Sequence, residues 1–205
     1  MQTILAEYKT HCESVGDIDE HLPTLAKYAS ECESVVELGV RGCVSSWAFC
    51  KGLAENGKDI KKFFLNDIEP CNIDKLLDIC PQVGIDATYQ WINDLLVDTS
   101  SMETDLTFID TWHIYAQLKR ELEKYSKITK KYIIMHDTEV DAVHGETIRI
   151  GWDPYEQSRQ TGFPVEEITR GLIPALTEFL ETHKEWVLHK HYTNNNGLTI
   201  LKRLS

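Results

Sequence analysis

Two aspartates in this chain each have a histidine close by along the sequence. Asp110 is followed three positions on by His113 in "FIDTWH", and Asp137 directly follows His136 in "YIIMHD". Paired carboxylates collect hard divalent cations such as magnesium or manganese, and a neighbouring imidazole widens the choice to softer ions. An imidazole of ordinary pKa, about 6.5, also exchanges a proton near neutrality, as a general base must. Two readings of the four residues stand side by side. In one, Asp110 and Asp137 hold an ion, His113 takes a proton, and His136 is a second base or suits a softer ion. In the other, Asp110 orients His113 or contacts a cofactor, Asp137 caps a turn, and His113 caps or packs a helix start.

Both acids close short apolar runs, and the surrounding elements say why. Strand patterns at 34–39, 61–67, 84–92, 105–110 and 131–137 alternate with helical or turn patterns at 44–57, 70–80, 93–100 and 113–125. The helix at 70–80 opens on Pro70, and the one at 113–125 carries Ile114, Leu118 and Leu122 on one stripe. Such alternation predicts a parallel sheet covered on both faces, with ligands bound beyond the carboxyl ends of its strands. Asp110 and Asp137 fall on that rim. The chain then changes character: a helix over 171–183 precedes two strand patterns, 185–193 and 198–204, separated by "NNNG", which is an antiparallel hairpin. Helical patterns at 2–15 and 21–32 make residues 1–30 a lead-in to a single domain over 1–205. The polar stretch 139–169 is a long connection leaving the active rim, read as a lid or recognition loop. Trp152, Tyr155 and Arg159 within it either meet a substrate or pin the loop.

A second group of residues lies at the first two strand ends. "VVELGVRGCVSS" (35–46) is a strand, a glycine turn and a helix start, which aims backbone N–H groups at an anion. Asp67 ends the next strand in "FFLNDIEP", where a carboxylate accepts from both hydroxyls of a ribose. The alternative is that Gly39 and Gly42 tighten a turn while Asp67 caps the helix at Pro70. The turn is not GxGxxG, and the chain ends in a hairpin, so a nicotinamide oxidoreductase is disfavoured.

Taken together, "VVELGVRGCVSS", "NDIEP", "DLTFIDTWH", "YIIMHDT" and "NNNGLTILKR" resemble the class I S-adenosylmethionine-dependent methyltransferases. The resemblance runs from about Glu31 onward and is strongest to small O-methyltransferases of the macrocin-type sugar and cephalosporin-hydroxylase-like group. It is more distant to catechol O-methyltransferase. It implies a Rossmann-like seven-stranded sheet with a C-terminal antiparallel hairpin, and S-adenosylmethionine as methyl donor. It puts Glu37 and Gly39 at the methionine end, Ser45 on the carboxylate and Asp67 on the ribose, with Arg41 and Gly42 of the same turn in the binding set. Asn93 and Asp94 fall where adenine is read, and Trp112 where a tryptophan flanks it. Cys43 stands where the catechol enzymes have their second glycine. His113 takes the place of a catalytic lysine, and Asp110 and Asp137 those of magnesium ligands, with Thr138 replacing a third ligand. The implied reaction is in-line methyl transfer to a hydroxyl, with His113 as base. The implied acceptor is a sugar or glycan such as a deoxyhexose. A glycosyltransferase, fused to the chain or working with it, would identify that acceptor. The rivals are a metal-dependent, catechol-like phenol methyltransferase and a nonenzymatic cofactor-binding domain.

Composition narrows the partners. Among 205 residues, 21 Lys and Arg stand against 33 Asp and Glu, a formal charge of -12 that disfavours nucleic acid. Hydrophobic residues make up 42 % without a span of membrane length, and the start has no signal-peptide pattern, so a cytoplasmic protein is expected. The six cysteines form no CxxC pair and read as small buried hydrophobes.

Overall fold

The computed structural model describes residues 1–204. The elements run α1 (Gln2–Glu13), α2 (Leu22–Ser30), β1 (Ser34–Leu38), α3 (Val44–Glu55), β2 (Lys62–Asp67), α4 (Asp74–Ile79), β3 (Asp86–Trp91), β4 (Thr104–Ile109), α5 (Tyr115–Tyr125) and β5 (Thr129–His136). They continue with α6 (Glu146–Arg149), α7 (Pro154–Thr161), α8 (Val165–Ile168), α9 (Leu172–Thr182), β6 (Trp186–Tyr192) and β7 (Leu198–Arg203). The strands form one seven-stranded sheet in the order β3-β2-β1-β4-β5-β7-β6. β1 to β5 are parallel, and β7 runs antiparallel to both β5 and β6. This is the expected sheet with its terminal hairpin. The strand order reverses between β1 and β4, where an open parallel sheet forms its ligand crevice.

Period-two alternation along the strands builds a core on each face. Val35, Phe63, Leu65, Phe108 and Ile134 pack under α1, α2 and α3, whereas Val36, Leu38, Ile109, Ile133 and Met135 pack under α5 and α9. α2 and α3 approach closely because Gly52 has no side chain. A Cβ there would lie 2.3 Å from the Ala26 carbonyl oxygen and 2.6 Å from Ala29 Cβ. Gly52→Ala is therefore expected to destabilise the fold by about 1–3 kcal/mol despite the better helix propensity of alanine. Urea unfolding measures it, and an unchanged midpoint would mean that α2 can step away.

Three local expectations need correction. The helix read as opening at Pro70 begins at Asp74. Before it, the Tyr89 hydroxyl accepts from the Cys71 N–H (3.2 Å) and donates to the Glu69 carbonyl (2.8 Å), so a side chain of β3 satisfies that backbone. His113 lies outside α5, because Ile114 is extended (φ -131, ψ 155) and the helix starts at Tyr115. The stretch 139–169 is not an unstructured loop but carries α6, α7 and α8. Asp153 caps α7 by accepting from the Tyr155 N–H, with Pro154 at its first position. A bridge between His144 and Arg170 closes the segment onto the body.

Candidate active site

The turn after β1 rests on the exit of β4. Gly39 (φ +87) donates its N–H to the Asn66 carbonyl (2.9 Å), and a Cβ on it would fall 1.9 Å from the Asp110 carbonyl oxygen. Only glycine lets this turn sit directly beside Asp110. Asp67 organises the same turn: its Oδ2 accepts from the N–H groups of Val40 (2.8 Å) and Arg41 (2.9 Å), and Oδ1 from that of Glu69 (2.9 Å). Arg41 (φ 45) and Cys43 (φ 61) take the left-handed conformation, and Gly42 does not. Cys43 thus adopts the backbone that a glycine would take more readily, a local strain held by the surrounding turn. The side chain of Arg41 is exposed and lies 3.9 Å from Asp17 of the segment between α1 and α2.

At the head of α3, Ser45 donates to Glu37 Oε1 (2.5 Å), while Glu37 Oε2 is buried without a partner. Burial raises the pKa of Glu37 to about 8, so the carboxyl is largely protonated at neutral pH. No side chain caps the first turn of α3. Its N–H groups and dipole therefore suit a carboxylate ligand.

The residues expected near adenine are spread over two environments. Asn93 accepts from the Leu95 N–H (2.9 Å) as a cap. Asp94 is buried against α5, where Gln117 donates to Asp94 Oδ1 (2.9 Å) and to Glu121 Oε1 (2.9 Å), and Thr111 donates to the same Glu121 oxygen (2.5 Å). Desolvation raises the pKa of both carboxyls. Trp112 stacks on Phe163 (ring centroids 6.3 Å, 20° between planes), with a buried indole N–H that has no partner.

β4 and β5 bring Asp110, His113, His136 and Asp137 into one cluster, as their places on the rim required. His113 lies between the two aspartates: Nε2 is 3.1 Å from Asp110 Oδ1, and Nδ1 is 2.9 Å from Asp137 Oδ2. Asp141 Oδ2 (3.5 Å) and Glu146 Oε2 (3.8 Å) approach the same Nδ1. Arg149 in turn holds Asp141 through Nε (2.7 Å) and Nη2 (2.9 Å). Burial lowers the pKa of His113, but the hydrogen bond to Asp110 and the close Asp137 carboxylate outweigh it and raise the value well above the ordinary one. The neutral base of pKa about 6.5 expected from the sequence is therefore not what this surrounding presents.

His136 is constrained further. Its Nδ1 faces Asp110 Oδ1 (3.3 Å), and its Nε2 faces the carbonyl oxygens of Asp17 (3.0 Å) and Asn195 (3.2 Å). Every partner is an acceptor, so both nitrogens carry protons and the ring is a buried cation with no lone pair to offer. Burial pushes its pKa down, and Asp110 more than reverses this, to about 9.

Sequence reasoning missed Asp141, Glu146 and Arg149. Asp141 had a signal: it lies four residues past Asp137, and its N–H donates to the Asp137 carbonyl (3.1 Å). The carbonyls of Asp17 and Asn195 had none, since any residue supplies a carbonyl. In the segment 139–169, Trp152 and Tyr155 are exposed and Arg159 pairs with Glu156 of its own helix. These three therefore do not pin the segment. His191 of β6 meets Glu139, just past β5 (2.6 Å).

No protein-family model matches the chain, and no curated protein matches it by sequence. Solved structures do match its fold. A protein of Staphylococcus aureus described as a caffeoyl-CoA O-methyltransferase is similar at a TM-score of 0.59 and 14% identity, covering 99% of this chain and 91% of that one. The O-methyltransferase TomG of Streptomyces achromogenes, involved in tomaymycin synthesis and solved with S-adenosylmethionine, has a TM-score of 0.59 at 11% identity, covering 100% and 91%. The N-methyltransferase NodS of Bradyrhizobium japonicum has a TM-score of 0.51 at 11% identity, covering 92% and 97%. The chain has the seven-stranded class I methyltransferase fold, which by itself leaves the acceptor atom open. Among the described residues no helix is long and apolar enough to cross a membrane.

Proposed function

We propose that this protein is an S-adenosylmethionine-dependent O-methyltransferase acting on a phenolic, catechol-like hydroxyl with a divalent ion at Asp110 and Asp137. One observation carries the reading: the carboxylates of Asp110 and Asp137 converge with His113 beside the glycine turn, at the crevice of the sheet. The likeness to proteins described as caffeoyl-CoA and other O-methyltransferases supports an oxygen acceptor, and nothing in it supports a sugar.

The residues divide the work in space. The uncapped head of α3, with Ser45 and Glu37, takes the donor's carboxylate end, and the turn held by Asp67 lies against the ribose. Ile68, just past Asp67, is 63% exposed and offers an apolar face to the adenine. Asp110, set directly beside the Gly39 turn, would hold the acceptor against the donor, as in-line displacement requires. The sulfonium–methyl bond would break as the oxygen–methyl bond forms, leaving a neutral thioether, and the acceptor's hydroxyl proton would pass to solvent water. Asp110 and Asp137 would hold a divalent ion, which would supply a lowered pKa at the acceptor hydroxyl. Buried Asp137 Oδ1, which has no partner, fits that role.

The imidazoles support a phenolic acceptor. Each ring nitrogen of His113 and His136 faces an acceptor, so neither ring is free to deprotonate an alcohol. A phenol, with a pKa of about 10, asks less of its surroundings than a sugar hydroxyl. The test is methyl transfer to catechols and to deoxyhexose glycosides, with EDTA or with added magnesium or manganese. Catechol methylation abolished by EDTA and restored by the ion is expected. Glycoside methylation that survives EDTA would overturn both the acceptor and the ion.

A further inference from the structure

Thr138 stands where the resembled enzymes carry their third ion ligand, and this chain has fastened it elsewhere. Thr138 is fully buried, and its hydroxyl accepts from that of Thr199 (2.8 Å). Thr199 meets His191 Nδ1 (2.8 Å), whose Nε2 meets Glu139 (2.6 Å), so the threonine is tied to the terminal hairpin. What faces the two aspartates instead is His113. One donor atom from each of Asp110, His113 and Asp137 lies within 4.8 Å of the others. Their mutual contacts satisfy them only in part, through the bond between His113 Nε2 and Asp110 Oδ1 (3.1 Å). Asp137 Oδ1 and His113 Nδ1 are buried without a hydrogen bond, although Nδ1 is only 2.9 Å from Asp137 Oδ2 and so lies close without alignment. Donors crowded together yet not satisfying one another are what an ion resolves.

We propose that His113 is itself an ion ligand, the third protein donor beside Asp110 and Asp137, and that the site selects manganese, iron(II) or cobalt over magnesium. This rests on the methyltransferase reading for the purpose of the site, not for its ligand set. Imidazole is a good ligand for these ions and a poor one for magnesium, which favours oxygen and retained water. The surroundings complete the ligand. Whichever ring nitrogen takes the ion, the other keeps a carboxylate: Asp110 serves Nε2, while Asp141 and Glu146 stand behind Nδ1. A carboxylate on the far nitrogen is the usual device that orients a ligating histidine.

The experiment is manganese binding to the full chain followed by electron paramagnetic resonance, with neither donor nor acceptor present. Nitrogen coupling to the bound manganese is expected in the natural chain and lost in His113→Gln. Manganese affinity should fall about 10–100-fold in that variant, and magnesium should compete weakly. Bound manganese without nitrogen coupling, coupling that persists in His113→Gln, no manganese binding, or magnesium competing as an equal would each overturn the assignment. If His113→Gln does not fold, the spectrum of His136→Gln decides, since it keeps His113 as the nearby nitrogen donor. S-adenosylhomocysteine binding is measured alongside. Its presence without nitrogen coupling sinks the ligand assignment alone, and coupling without it sinks the methyltransferase reading alone.

Discussion

Asp110→Ala is expected to lose methyl transfer by about 10²–10³-fold in kcat/KM, the cost of removing a fixed electrostatic group at a reacting centre. It should also destabilise the protein by about 3–5 kcal/mol, as when one partner is taken from a buried ion pair. A single oxygen, Oδ1, meets both His113 Nε2 (3.1 Å) and His136 Nδ1 (3.3 Å). Burial pushes the Asp110 carboxyl up, but His136 and His113 hold it well below the usual carboxylate range, so it is ionised throughout the neutral region. Without it, two imidazoles that face only acceptors lose their common counter-charge. Asp110→Asn separates the two effects, because the amide keeps the shape and an acceptor oxygen but not the charge. Urea unfolding at neutral pH and single-turnover methyl transfer measure them. An Asp110→Ala protein with natural stability and turnover would remove Asp110 from the site altogether.

How far the sequence led depended on whether a feature was local. Strands β1, β2, β4 and β5 were legible because each is a short apolar run ending in glycine or an acid, and β3 from its place in the alternation with helices, which fixed the sheet as parallel. The hairpin followed from "NNNG" between two strand patterns. The start of α4 was not legible, because Pro70 looks like a helix opener only until Tyr89 of the neighbouring strand claims the backbone around it. Asp110, His113, His136 and Asp137 were legible as a group, since position at strand ends brings them together whatever the details. Their protonation states were not. A neutral His113 was the natural expectation from its type, and in the ion-free protein it fails because Asp110 and Asp137 face its two ring nitrogens from two different strands, while two backbone carbonyls converge on His136 from opposite ends of the chain. Charge state belongs to the assembled surroundings, which spacing along a sequence does not report.

His136 gives those surroundings a measurable consequence. It joins three parts of the fold: Asp110 at the end of β4, Asp17 in the segment between α1 and α2, and Asn195 at the hairpin tip. The ring is 2% exposed, and its bonds hold both outer segments over the rim. In the folded protein its pKa is about 9, against the ordinary 6.5 of the unfolded chain. The folded state keeps a proton that the unfolded state has lost, so stability is fully present below pH 6.5 and falls as pH rises through about 9. The loss amounts to about 3 kcal/mol at the top of that window. Glu37 acts in the same direction, since its raised pKa of about 8 also means a proton held on folding, but its contribution is spent by that pH. Urea midpoints of the ion-free protein in EDTA, taken at intervals from pH 6 to pH 10, should therefore keep declining above pH 8. His136→Gln should make that upper part of the decline shallower, because an amide can donate to the two carbonyls but does not titrate; what remains belongs to His113, whose raised pKa acts in the same direction. If the curves run parallel across the whole range, His136 is neutral in the folded protein, and the three elements it joins are held together by something else.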